Sequence, residues 1–327
     1  MEGYLGVDVG SVSTNLVVLD KEFEVISWIY RRTKGQPIYA VQKGLEELKK
    51  MLPQNVQIKG VGTTGSARYL SGVIVGADIV KNEITAHAVA ASHIHPDVQT
   101  VLEIGGQDSK IIILRNGIII DFAMNTVCAA GTGSFLDHQA SRLGIPIEEF
   151  GLHALKSTSP AQVAGRCTVF AESDMIHKQQ VGAKLEDIIY GLCEALVRNY
   201  LNNLAKGKEL AGPIIFQGGV AANIGLKRAF EEALGKEIII PKYHHVMGAI
   251  GSAILAKELV EECGSQTNFK GFETSEIAYS TKSFDCGGCS NNCEVIRIVT
   301  GKKTLACWGG RCGKWEEEHS RLANIQA

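Results

Sequence analysis

The strongest constraint on this chain is a repeat inside it. Tyr4-Leu5-Gly6-Val7-Asp8-Val9-Gly10-Ser11 reads as a strand ending in an acidic residue and a glycine turn, and Asn15–Leu19 continues as the next strand. The same order returns downstream. Thr100–Ile104 is a strand, Glu103-Ile104-Gly105-Gly106-Gln107-Asp108 carries the acidic residue and the glycines, and Ser109–Leu114 follows as a strand. A repeated unit of this kind implies two related α/β lobes facing each other across a cleft. In each lobe a carboxylate at the strand end can hold a magnesium ion or its waters, and the glycine turn lets backbone N–H groups approach phosphates. One such turn alone is an ordinary hairpin signal; two copies point to phosphate binding.

The elements between them fit that plan. Phe23–Arg31 extends a β-meander, Pro37–Leu52 has helical spacing with proline near its first turn, and Val56–Val61 is a strand running into Gly62-Thr63-Thr64-Gly65. Asn82–His95 reads as a helix closed by Pro96. Glu186–Leu204 is a long amphipathic helix with Ile189, Leu192, Leu196 and Tyr200 on its buried stripe, and Cys193 beside them as core. Pro213–Phe216 is a strand delivering Gln217-Gly218-Gly219-Val220-Ala221-Ala222-Asn223, followed by a helix to Leu234. A glycine pair at a strand-to-helix crossing permits close approach by a nucleotide. Glu237–Ile240 is a further strand and Gly248–Glu262 a helix. The expected division is 1–97 with 236–263 as a first lobe, 98–235 as a second, and 264–327 as linker plus extension, with 264–283 weakly structured.

Two cysteines stand at helix entrances. Cys128 lies in Cys128-Ala129-Ala130-Gly131-Thr132-Gly133, which feeds a helix carrying Leu136, Ala140 and Leu143; Cys167 precedes Thr168-Val169-Phe170-Ala171-Glu172. Free N–H groups and the helix dipole at such positions favour a thiolate or an anionic metal–sulfur cluster. Two thiolates cannot complete a four-cysteine iron–sulfur site, but two copies around a twofold axis can. A second group lies near the end of the chain: Cys286, Cys289, Cys293, Cys307 and Cys312 flank one hairpin, Glu294–Val299 and Thr304–Cys307 with a turn at Gly301-Lys302. A knuckle and hairpin of this form suggest four thiolates around zinc, or a second iron–sulfur cluster, with a reduced cysteine-rich hairpin as the alternative.

Composition narrows the function. The chain has 327 residues, is 45% hydrophobic and 21% charged, and carries a net charge of −2. That is a well-cored globular protein with no electrostatic case for nucleic acid or an anionic membrane. No apolar run reaches a membrane span and the N-terminus lacks signal-peptide form, so a cytoplasmic protein is expected. Nine cysteines there imply metal or redox chemistry rather than disulfides.

Five motifs in order carry a family resemblance: Asp8-Val9-Gly10-Ser11, Gly105-Gly106-Gln107-Asp108-Ser109-Lys110, Asn125-Thr126-Val127-Cys128-Ala129-Ala130-Gly131-Thr132-Gly133, Cys167-Thr168-Val169-Phe170-Ala171-Glu172-Ser173 and Gly218-Gly219-Val220-Ala221-Ala222-Asn223. Over residues 3–258 the chain resembles the activator ATPases of 2-hydroxyacyl-CoA dehydratases. These belong with the benzoyl-CoA reductase ATPase subunits and the ATP-dependent reductases of double-cubane-cluster proteins. The resemblance implies the duplicated, ribonuclease H-like α/β fold of actin, heat-shock chaperone ATPases and sugar kinases. It also implies a homodimer with one [4Fe–4S] cluster held by Cys128 and Cys167 of each subunit. Glu103 departs from the aspartate common in the family, and the 286–312 cysteines lie beyond the short activators.

The expected activity is ATP-driven delivery of a low-potential electron, received from ferredoxin or flavodoxin, to an iron–sulfur partner enzyme. ATP or ADP would lie on Gly10, Ser11, Val12, Ser13 and Thr14, on Gly105, Gly106 and Gln107, and on Gly218, Gly219, Val220 and Asn223. Asp8 and Glu103 would serve Mg2+, and Gln107 or Asp108 would orient the attacking water. A small-molecule kinase of the amino-sugar type would use the same turns but gives Cys128 and Cys167 no task. A nucleotide-sensing binding module is the other alternative.

Overall fold

The repeat takes the form of two five-stranded sheets with the same topology. A computed structural model of the chain describes residues 1–301 and 303–315. Sheet one has the order β3-β2-β1-β4-β5 and sheet two the order β10-β9-β6-β7-β8. Sheet one comprises β1 (Glu2–Val9), β2 (Ser13–Leu19), β3 (Val25–Arg32), β4 (Gln57–Thr64) and β5 (Ile79–Val80). Sheet two comprises β6 (Thr100–Ile104), β7 (Ser109–Arg115), β8 (Ile118–Asn125), β9 (Ile214–Gln217) and β10 (Ile238–Ile239). In both, three antiparallel strands come first and two parallel strands add beside the first of them.

Local signals set the helix ends. In sheet one's half lie α1 (Pro37–Met51), α2 (Arg68–Val75) and α3 (Glu83–Ile94). Pro37 opens α1 and Lys49 and Lys50 sit in its last turn, where cations suit the dipole. Asn82 caps α3, accepting the Thr85 N–H at 2.9 Å. The second half adds α4 (Gly133–Leu143), α5 (Ile147–Ala154), α6 (Thr168–Gln180), α7 (Leu185–Tyr200) and α8 (Ile224–Leu234), and α9 (Met247–Cys263) returns to sheet one. The helix expected to run to Leu204 is α-helical only to Tyr200 and widens into a π-turn over Leu201–Ala205.

Three apolar layers hold the molecule together. Helices α4 to α8 cover one face of sheet two around Phe135, Phe150, Tyr190, Leu196 and Phe230. Between the sheets lie α3 and α9 with Val17, Ile112, Ile215 and Ile250. The outer face of sheet one packs on α1 and α2 through Leu16, Leu45 and Ile74. Helix α9 lies across β1, β2 and β4. It approaches so closely that a Cβ at Gly6 would sit 1.8 Å from the Ala249 carbonyl oxygen, and one at Gly62 2.0 Å from that of Ser252. Strand β10 pairs with β9. Residues 238–239 therefore belong to the second sheet, not to the first lobe where a boundary at 236 would put them.

The end of the chain differs from its expectation. Residues 264–283 are not a loose linker. Asp78 accepts the Thr267 hydroxyl and the Asn268 N–H, each at 2.7 Å, and Gln42 donates to the carbonyls of Thr274 and Ile277. Phe269 and Phe272 pack beside α1 and α2. The hairpin gains a third strand: β11 (Ser280–Asp285) pairs with β12 (Glu294–Thr300), which pairs with β13 (Lys303–Trp308). Ile298 is fully buried in the same layer as Leu70 and Ile74. Lys302 of the expected turn lies outside the described residues.

Candidate functional site

The two glycine turns face each other across a cleft of about 690 Å3. Asp8, Gly10, Ser11, Val12 and Ser13 line it from sheet one, and Glu103, Gly105, Gly106, Gln107 and Asp108 from sheet two. Gly218, Gly219, Val220 and Asn223 complete the wall, so the expected cleft residues are brought together except one. Thr14 turns into the protein, where its hydroxyl meets that of Thr33 at 2.9 Å. Thr33 in turn donates to the Gly10 carbonyl at 3.0 Å, which fixes the first turn. Gly218 has φ of +92°, and a Cβ there would lie 2.3 Å from the Ile104 carbonyl oxygen, so a side chain is excluded where the strand crosses into the cleft.

The cleft floor is a buried charge cluster. Lys110, 2% exposed, reaches Glu83 at 2.8 Å, Glu103 at 3.0 Å and Asp108 at 3.0 Å. Burial opposes its charge, but Glu103, Glu83 and Asp108 together outweigh burial and raise its pKa well above the usual lysine value. Burial pushes Asp8 up to about 7, with Glu83 adding to it. Burial likewise pushes Glu103 up to about 8, against the pull of Lys110, because one ammonium is shared among three carboxylates. His87 is lowered to about 3 by burial and by Lys110, so it stays neutral; it meets Gln217 at 2.8 Å. Two carboxylates reluctant to ionise alone are suited to a divalent cation, whose charge supplies what the site lacks.

Lys110, Glu83, His87 and Gln217 were not assigned to the site from sequence. The signal for Lys110 was present: one lysine at the start of the apolar strand Ser109–Leu114 has to find buried partners. Between the two candidates for orienting water, Asp108 is engaged by Lys110, whereas Gln107 is exposed on the cleft wall.

The two cysteines meet just beyond β8, at the same end of sheet two as the second phosphate turn. Cys128 occupies the cap position of a 3-10 turn, Ala129–Gly131, and Cys167 that of α6. The Cys128 Sγ lies 3.9 Å from the Arg166 carbonyl oxygen, the residue before Cys167. Asn125 clamps the first loop, accepting the Cys128 N–H at 2.9 Å and donating to its carbonyl at 2.7 Å. Asn199 on α7 donates to the Gly165 carbonyl at 2.6 Å and stands 4.0 Å from the Cys128 sulfur. Neither asparagine was singled out from sequence. Around the thiols Val127 is 94% exposed, Val169 66% and Phe170 65%. Among the described residues no three His, Cys, Asp or Glu side chains gather as a metal ion would need. One copy thus presents a pair of thiols on an apolar face and cannot by itself complete a four-thiolate site.

In the C-terminal sheet, too, no three such side chains gather among the described residues. Cys286 and Cys293 are joined by a backbone hydrogen bond of 2.8 Å, Cys289 and Cys312 are exposed, and Cys307 is buried on β13. Strand pairing and the packing of Ile298 give this sheet support that a lone hairpin would lack.

Duplicated sheets of this topology, with phosphate turns and acidic residues facing across a cleft, define a two-lobed nucleotide phosphohydrolase of the fold also found in sugar kinases, which the chain matches at low identity. Residues 5–256 match the BadF/BadG/BcrA/BcrD ATPase family, and the chain belongs to it. It is 35% identical over 258 residues to the (R)-2-hydroxyglutaryl-CoA dehydratase activating ATPase of Acidaminococcus fermentans, covering 77% of this chain and 96% of that one. It is 33% identical to an uncharacterized protein of Methanocaldococcus jannaschii, where the match covers 77% of this chain and spans only 61% of the relative's length. The solved activator of 2-hydroxyisocaproyl-CoA dehydratase from Clostridium difficile, with bound ADPNP, superposes with a TM-score of 0.74 at 31% identity, covering 80% of this chain and 97% of that one. Among the described residues no helix is long and apolar enough to cross a membrane.

Proposed function

We propose that this ATPase is a low-potential electron donor that reduces a partner iron–sulfur enzyme, a 2-hydroxyacyl-CoA dehydratase or a double-cubane-cluster protein. Cys128 and Cys167 of two copies would hold one shared [4Fe–4S] cluster, which when bound supplies one-electron chemistry. Val127, Val169 and Phe170 would be buried where the copies meet, excluding water. Ferredoxin or flavodoxin would supply the electron in the cytoplasm, and neither nucleic acid nor membrane has a part.

One observation carries the reading. The helix behind Cys128 begins on the phosphate turn itself: Gly133 donates its N–H to the Gly105 carbonyl at 2.9 Å, and Ser134 donates to that of Gly106 at 2.8 Å. A change at the phosphates therefore has a rigid path to the thiol loop. In the cleft, the turns at 10–13 and 105–106 would present N–H groups to the phosphates, and Asp8 and Glu103 would hold Mg2+. Gln107 would orient the attacking water, and Lys110 would keep Asp108 and Glu103 in place.

Anaerobic purification tests the proposal. The protein should be brown and dimeric, with about four irons per dimer in this site. With ATP and reduced ferredoxin it should activate a purified dehydratase or reduce a double-cubane protein. Colourless, iron-free protein that still hydrolyses ATP would overturn the electron-transfer reading and leave the ATPase.

A further inference from the structure

Helix α4 is bonded to one phosphate turn directly and linked to the other through the end of β3. Its N-terminus hangs on the carbonyls of Gly105 and Gly106. One turn further along, Asp137 meets Arg32 of β3 at 3.5 Å. Arg32 adjoins Thr33, whose N–H and hydroxyl bond the carbonyls of Val12 and Gly10 in the other phosphate turn. The far end of α4 then reaches α6. Arg142 forms an ion pair with Glu172, and His138 lies 3.5 Å from the same carboxylate. Glu172 is only 19% exposed, less than either donor, and it sits in the second turn of the helix that Cys167 caps.

We propose that Glu172 is the positioning residue that carries nucleotide-dependent movement of α4 to α6, so that Cys167 responds together with Cys128. Cys128 needs no such relay, because its loop leads straight into α4. Cys167 stands at the head of a different helix, and the Arg142–Glu172–His138 cluster links that helix to α4. The loops share a fixed floor, Asn199 on the core helix α7, so what Glu172 transmits is the motion of the helices above it. The inference rests on the reading of Cys128 and Cys167 as the cluster-holding pair.

Alkylation of the cluster-free full chain by iodoacetamide tests this, with each cysteine peptide followed by mass spectrometry. The wild-type protein is compared with Mg-ADP and with a non-hydrolysable ATP analogue. The two states should differ about fivefold or more at both Cys128 and Cys167, the size of ordinary coupling between sites. In Glu172→Gln the ratio at Cys167 should fall to near one while Cys128 keeps its own, and Glu172→Asp should restore it. A merely structural role would shift the Cys167 rate equally in both nucleotides. The proposal is overturned if Cys167 keeps its ratio in Glu172→Gln, if both cysteines lose theirs together, or if wild type shows no ratio at all. A missing cluster in anaerobic protein would instead sink the electron-transfer reading while leaving these thiol ratios intact.

Discussion

Ser134 gives both its backbone N–H and its hydroxyl to one acceptor, the carbonyl oxygen of Gly106, at 2.8 and 2.5 Å. With that carbonyl held from behind, the turn cannot flip its peptide, and its N–H groups stay available to a phosphate. Replacing Ser134 with alanine keeps the backbone bond and removes the second one. A loss of about 1 kcal/mol, or roughly fivefold in affinity, is expected for a non-hydrolysable ATP analogue by calorimetry. An unchanged dissociation constant would show that the backbone bond alone sets the turn.

Asp8 ends β1 beside the first glycine turn. Asp8→Ala should abolish Mg-ATP hydrolysis while leaving any iron that the wild type binds in place, because this carboxylate lines the phosphate cleft and the thiols do not. Phosphate release measured beside the visible spectrum separates the two effects. Turnover at the wild-type rate would remove Asp8 from the mechanism.

The raised carboxylates make stability fall with pH. Unfolded, Asp8 and Glu103 ionise near their ordinary values of 3.8 and 4.5; folded, they hold their protons to about 7 and about 8. Between those limits the native state binds more protons than the unfolded one, so stability declines as pH rises from about 4 to about 8. Without metal or nucleotide, the melting temperature should be lower at pH 8.5 than at pH 5.5. Glu103→Gln should flatten that slope, and Mg-nucleotide binding near pH 7 should release protons. Equal slopes for the variant and wild type would mean that Glu103 ionises normally in the fold.

Ile298 is the apolar anchor of the C-terminal sheet. Ile298→Ala should cost about 2–5 kcal/mol, as large-to-small changes in cores do, and should speed amide exchange in β11 to β13 and in Phe269–Phe272 together. A chelator should leave that protection unchanged in the wild type. Loss of protection on chelation would show that a bound metal holds this sheet.

Legibility followed the range of each signal. The acidic residue and glycine turn that end β1 and β6 are local, so the duplicated lobes and the cleft walls could be read along the chain. The cysteine loops were visible for the same reason. What was missed depends on distant partners. Lys110 meets Glu83 from a different lobe's helix, and Asn199 serves the thiol loops from α7, and nothing near either residue announces this. Residues 264–283 looked unstructured because they are polar, yet their polar groups are spent on Asp78 and Gln42. Thr14 was misplaced for a one-residue reason: strand alternation turns it inward from the turn it follows.

Helix α9 covers a sheet whose first strand was made some 240 residues earlier in the chain. On the ribosome, β1, β2 and β4 therefore form with one apolar face bare, and they stay so until the last turn of α9 emerges. Gly6 and Gly62 leave a groove there that fits a helix backbone and little else. The first lobe is thus a late finisher during synthesis, exposed to chaperones and proteases while the residues between β4 and the end of α9 are translated.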